Sequence, residues 1–169
     1  MDAHGLLGVT NTHALRFFFE HLRDVTEDDH PAERELLYNA SVLAHFASTS
    51  SASFDFPGAP SSLTQVFDVF VMDRSQQSDP EILEAAGSQC LLLTGFFGAQ
   101  LSGRHNVDWF AMLGADFYGG AARRSTDGAR AHMMRTMARR FPFWRRRLAR
   151  LARELHESRM LLTRPPAAH

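Results

Sequence analysis

Apolar residues return along this chain at intervals of three and four, and nowhere do they alternate convincingly in twos. That spacing predicts helices and no strands. Leu15, Phe18, Phe19 and Leu22 give a first helix over about Thr12–Val25, with Asn11 or Thr12 as its cap. After the polar "TEDDHPAE", Pro31 and Glu33 suit the start of a second helix, about Pro31–Thr49, that buries Leu36, Ala40, Leu43 and Ala47. "STSSASFDFPGAPSS", residues 48–62, has no periodicity and reads as an internal surface loop pinned by Phe54 and Phe56. Ser62 and Gln65 then resemble a capping box for a third helix through Leu63, Val66, Phe67, Phe70 and Val71.

Asp79 and Pro80 mark the next start. The helix they open, about Pro80–Ser102, turns apolar around most of its girth at Cys90, Leu91, Leu92, Leu93, Phe96 and Phe97. A helix with no polar face is a buried one. Its glycines Gly87, Gly95 and Gly98 lower helix propensity and predict places where neighbouring helices come close. A fifth helix is expected over about Val107–Tyr118, ended by Gly119-Gly120, and a sixth over about Gly128–Arg140. Pro142 should kink or split the chain before a last helix, about Phe143–Leu162. The pattern predicts one all-α domain over residues 1–162: six to seven helices around the hydrophobic helix at 80–102, with a disordered tail at 163–169.

The last helix carries the most distinctive stretch, "ARRFPFWRRRLARLAREL", in which seven of eighteen residues are arginine. On a helical projection Trp144, Leu148, Leu151, Leu155 and Leu162 share one face, while Arg145, Arg146, Arg150 and Arg153 share the other. Burying such side chains stabilises by about 1.5–3 kcal/mol each. An exposed arginine–carboxylate pair contributes about 0–1 kcal/mol. The apolar stripe should therefore dock the helix, leaving an outward basic face with Arg139 at its start.

Charge qualifies what that face could bind. Up to residue 120 five arginines meet sixteen acids, a balance of −11; from 121 onward thirteen meet three, a balance of +10. Some arginines are expected beside the acids of Asp24–Glu35. The face made by Arg139, Arg145, Arg146, Arg150 and Arg153 reads first as solvated or paired within the protein, and as a binding face it favours an acidic protein partner over nucleic acid or an anionic membrane surface. The acidic first half disfavours nucleic acid, and no helix-turn-helix, RRM or KH signature occurs. A membrane-surface role would need Trp144 and the leucines free of the core.

Composition closes several enzyme classes. All eighteen basic residues are arginine, so neither a Schiff-base lysine nor a P-loop lysine exists in these 169 residues. The lone Cys90, inside "SQCLLLTGFFGA", excludes an internal disulfide and a multi-thiolate zinc site, and reads as a buried small hydrophobe. The N-terminal residues lack a basic signal-peptide region, and the apolar run Cys90–Ala99 has half the length of a membrane-crossing helix, so a cytoplasmic protein is expected.

Among nine histidines, His30 with Glu33 and His105 with Asp108 stand three apart, but neither completes a metal-binding set. "GFFGAQLSG" lacks the dinucleotide-binding spacing, and no nucleophile elbow occurs. The second helix does carry a polar stripe, Glu35, Tyr38, Ser41 or Val42, and His45, beside its leucine face. "RHNVDW" could bring His105 and Asp108 near it, making a pocket in which a histidine accepts a proton. Two functions thus follow: a non-enzymatic interaction or regulatory protein using its basic face, or a small-molecule binder or enzyme with a pocket around Tyr38, His45, His105 and Asp108.

Overall fold

The computed structural model describes the backbone of residues 3–50, 78–103 and 106–163. Among the described residues the chain is an all-α bundle without strands. Its helices are α1 (Ala3–Val25), α2 (Glu33–Ser50), α3 (Pro80–Leu91), α4 (Gly98–Leu101), α5 (Val107–Arg124), α6 (Gly128–Arg139) and α7 (Phe141–Thr163). A 3-10 turn (Glu27–Asp29) precedes α2, and a π-helical turn (Leu92–Phe96) joins α3 to α4.

The starts obey capping chemistry. Asp79 extends its backbone and accepts the Glu81 N–H at 2.9 Å, with Pro80 in the first helical position of α3. Asn106 accepts the Trp109 N–H to open α5, and Asp127 accepts those of Ala129 and Arg130 to open α6. Helix α1 begins nine residues before its expected start, so Asn11 and Thr12 lie inside it rather than capping it. The expected loop at 48–62 begins within α2, which runs through Ser50; the rest of it, and the helix expected from Ser62, lie outside the described residues. So do residues 164–169 of the expected tail, whereas Thr163 is helical.

Two helix boundaries depart from expectation, one through packing and one through proline chemistry. Gly119-Gly120 does not stop α5, which continues to Arg124. A Cβ on Gly120 would come within 3.2 Å of Leu83 Cδ1, so this glycine marks the close approach of α5 to α3. Pro142 falls in the first turn of α7, where its missing N–H removes no helical hydrogen bond, and the break moves back to Arg140.

The helix expected to run unbroken over 80–102 instead inserts the π turn, closed by the Phe97 N–H on the Leu92 carbonyl at 2.9 Å. Gly95 explains its place: a Cβ there would lie 3.1 Å from the Arg145 carbonyl of α7. The Thr94 hydroxyl donates back to the Cys90 carbonyl at 2.7 Å, and Arg145 Nε donates to the Thr94 carbonyl at 3.1 Å. Helix α7 is thus seated on the π turn and also touches α1.

The core lies where α3, α5 and α7 converge. Trp144, Leu148 and Leu151 are fully buried, as are Met137 and Phe141 just before them. Gly114 of α5 permits this convergence, since a Cβ there would stand 2.6 Å from Cys90 Cβ and 2.7 Å from the Phe141 ring. Of the three glycines expected at close approaches, Gly87 and Gly95 are; Gly98 faces open space.

Candidate functional site

A cleft of about 800 Å³ opens between α2 and α3, with Arg130 of α6 at its rim. Helix α2 packs mainly on α1, so it meets α3 through long side chains and leaves a gap between the two. Val42, Phe46, Leu92, Leu93 and Phe97 supply apolar wall; the π turn contributes Leu92 and Leu93 to it. The Phe46 and Phe97 rings meet edge to face, 5.3 Å between centroids. Ser41, His45, Glu81 and Gln89 add polar groups.

At the Tyr38 end, three hydroxyls form a cluster. The Tyr38 phenol donates to Glu84 Oε1 at 3.1 Å and lies 3.2 Å from both Ser88 Oγ and the Tyr118 hydroxyl. Ser88 Oγ donates to the Glu84 carbonyl at 2.9 Å and stands 3.0 Å from the Tyr118 hydroxyl. Glu84 and Ser88 are one helical turn apart, so both point from α3 toward Tyr38. Gly87 between them gives Tyr118 its place, because a Cβ there would sit 3.0 Å from the Tyr118 ring.

Arg130 closes this end with an ion pair to Glu84. Burial lowers the Arg130 pKa, but the hydrogen bond and charge of Glu84, then Tyr38 and Glu81, hold it above its usual value. Beyond this pair lies a smaller cavity of about 330 Å³, which shares Glu81, Glu84 and Arg130 and adds Pro80, Ser125, Thr126, Asp127 and Met134. The Glu84–Arg130 bridge therefore stands between two spaces.

Burial raises both tyrosine pKa values well above 10; for Tyr38 the nearby Tyr118 and Glu84 add to it. Both phenols stay protonated and can donate hydrogen bonds. Burial also pushes the Cys90 thiol up to about 12, so this cysteine is neither a nucleophile nor a ready metal ligand at neutral pH.

The residues picked out by sequence part company here. Tyr38 and His45 line the cleft, with Ser41 and Val42 beside them. Glu35 points elsewhere: it accepts the Trp144 indole N–H at 2.8 Å and holds Arg140 at 2.6 Å, between α2 and α7. The Arg140 Nε–H is not aimed at the carboxylate, so the contact is one of charge. Asp108 sits in the first turn of α5, its side chain 83% exposed, and pairs with Arg145 at 2.9 Å. His105 lies outside the described residues. Glu84, Ser88, Tyr118 and Arg130 were not singled out by sequence, although Glu84 and Ser88 are polar residues one turn apart on a largely apolar helix.

The basic stretch is partly absorbed by the protein itself. Arg147 pairs with Asp29 at 2.7 Å, and Arg140 and Arg147 both stack over Phe143. Arg145 is held by Asp108 and the Thr94 carbonyl, so it docks α7 instead of facing outward. Arg150 bonds Glu154 at 3.1 Å and reaches the Val25 carbonyl at 3.4 Å. Arg139, Arg146 and Arg153 are exposed and make no ion pair among the described residues.

No group of three or more metal-binding side chains occurs among the described residues, and no described helix is long and apolar enough to cross a membrane. The chain matches no known family model, no curated protein and no solved structure, so its own geometry carries the functional reading.

Proposed function

We propose that this protein binds a small organic molecule in the cleft between α2 and α3. The observation that carries the reading is the cleft itself. At about 800 Å³ it has the size of a ligand site, and an apolar wall meets one cluster of oriented hydroxyls. The cluster is pre-formed: Tyr38 is held by Glu84, Ser88 and Tyr118 before any ligand arrives. A ligand would lay its apolar part against Phe46, Leu93 and Phe97 and direct a polar group toward Tyr38. The neutral solvatochromic dye Nile red tests this against Ala85→Trp, since Ala85 is exposed on the cleft wall and its replacement fills space without entering the core. The parent should enhance the dye's fluorescence; the variant should lose that enhancement while melting as the parent does. Equal enhancement by both places the dye elsewhere and removes the reading.

A second reading keeps an interaction or regulatory role for the basic face at Arg139, Arg146 and Arg153, whose exposure without ion pairs among the described residues favours an acidic protein partner. Polyglutamate is the probe. Binding at low salt that disappears on reversing the charge of all three supports it, and absence of binding removes it.

A further inference from the structure

The charges around the cleft's polar end select among ligands, an inference that rests on the cleft being a binding site. Four titratable side chains besides Tyr38 face this space: His45 from α2, Glu81 and Glu84 from α3, and Arg130 from α6. Glu84 is already committed, one oxygen to Tyr38 and the other to Arg130. Its single negative charge is balanced by that arginine. Glu81, one helical turn before Glu84, is exposed, lines both cavities and makes no side-chain hydrogen bond or ion pair among the described residues, although its charge acts on Arg130 from a distance. Asp127 also lines the smaller cavity behind the bridge, its carboxylate already held by the Ala129 and Arg130 N–H groups at the start of α6. The lining of the polar end therefore sets two carboxylates, Glu81 and Glu84, against one guanidinium, that of Arg130, next to an aromatic phenol face. Val42, Phe46, Leu93 and Phe97 supply the apolar wall, and Ser41, His45 and Gln89 also line the cleft.

We infer that the ligand is an amphiphilic cation. Its amine or guanidine group pairs with Glu81 beside the Tyr38 ring, and its hydrocarbon part lies against Phe46, Leu93 and Phe97. A cation supplies the missing positive charge and N–H donors to a carboxylate. An anion would have to compete with Glu84 for Arg130 and sit against Glu81. The hydrocarbon part supplies affinity by leaving water, and the charge supplies orientation.

Decylamine, decanol and decanoate share a tail and differ in head charge. Each is titrated calorimetrically, below its micellar or solubility limit and at low salt, into the parent and into Glu81→Gln. That position is exposed in the first turn of α3, so the substitution removes only a favourable charge at the helix start and should lower the melt slightly. The expected order is amine, then alcohol, then carboxylate. A partly exposed charge pair corresponds to roughly fivefold between amine and alcohol. Glu81→Gln should erase that difference while leaving decanol binding as it was. Equal binding of all three, or preference for decanoate, overturns the cationic ligand while leaving the cleft as a binding site. Failure of all three to bind overturns both.

Discussion

The Trp144 indole donates its N–H to Glu35 at 2.8 Å, and both residues are buried, at 0% and 7% exposure. Across 109 positions of sequence, this one bond fastens α7 to α2. Arg140 supplies the counter-charge, and Asn39, one turn after Glu35, donates to the Glu35 carbonyl at 2.9 Å and contacts Met137 sulfur at 3.6 Å. A buried carboxylate is tolerable here because a donor and a cation meet it together.

Glu35→Ala should therefore destabilise the protein by about 2–3 kcal/mol, since a hydrogen bond to a charged group is worth about 1.5–3 kcal/mol and the buried indole N–H loses its partner. Glu35→Gln keeps an acceptor for Trp144 and should cost less. Chemical denaturation of both variants beside the parent measures the difference, and equal losses would assign the effect to charge alone.

Gly114 and Gly98 make a matched pair of glycines. Gly114→Ala drives a methyl group into Cys90 and Phe141 and should destabilise by about 1–3 kcal/mol. Gly98→Ala adds the same group to open space in a helical backbone without positive φ, and should leave stability unchanged or slightly raised. A thermal melt that ranks them the other way would deny the close contact of α5 with α3 and α7.

Leu151 lies at the centre of the α7 stripe with no exposed surface. Leu151→Asp places an unpaired carboxylate there, at a cost of several kcal/mol out of a typical domain's ~5–15. Arg146→Glu combined with Arg153→Glu alters side chains already in solvent and should shift the melting temperature little. If the double variant unfolds and Leu151→Asp does not, the helix presents its arginines to the bundle.

Helical periodicity made much of this molecule legible in advance. The Trp144–Leu148–Leu151 stripe needs only regular spacing and apolar side chains, and it is buried as that spacing predicts. Asp79-Pro80 was equally readable, because its capping chemistry is local. The π turn was not, for it depends on Gly95 meeting the Arg145 backbone fifty positions later. The cleft was half legible. Tyr38 and His45 share one helix face, a matter of spacing, whereas Glu84, Tyr118 and Arg130 join Tyr38 from three further helices. Asp108 shows the converse: the arginine of another helix, not sequence proximity to His105, decides where its carboxylate is used.

Tyr38 and Tyr118 are the only tyrosines in the chain, so its tyrosinate absorbance reports on the hydroxyl cluster alone. Burial raises both above the usual value near 10. In the unfolded chain each phenol ionises at about pH 10. Above that pH the unfolded state has released protons that the folded state still binds, so stability falls as pH rises. The stabilising contribution is complete below about pH 10 and is lost as pH climbs toward the raised folded values. Tyrosinate absorbance should therefore stay low at pH 10 while helical circular dichroism is intact, then rise together with unfolding. Tyr118→Phe, which removes one of the two titrating phenols, should flatten the fall of stability above pH 10. If both tyrosines ionise near pH 10 with the helices intact, water reaches the cluster freely, and the pre-formed polar end of the cleft does not exist.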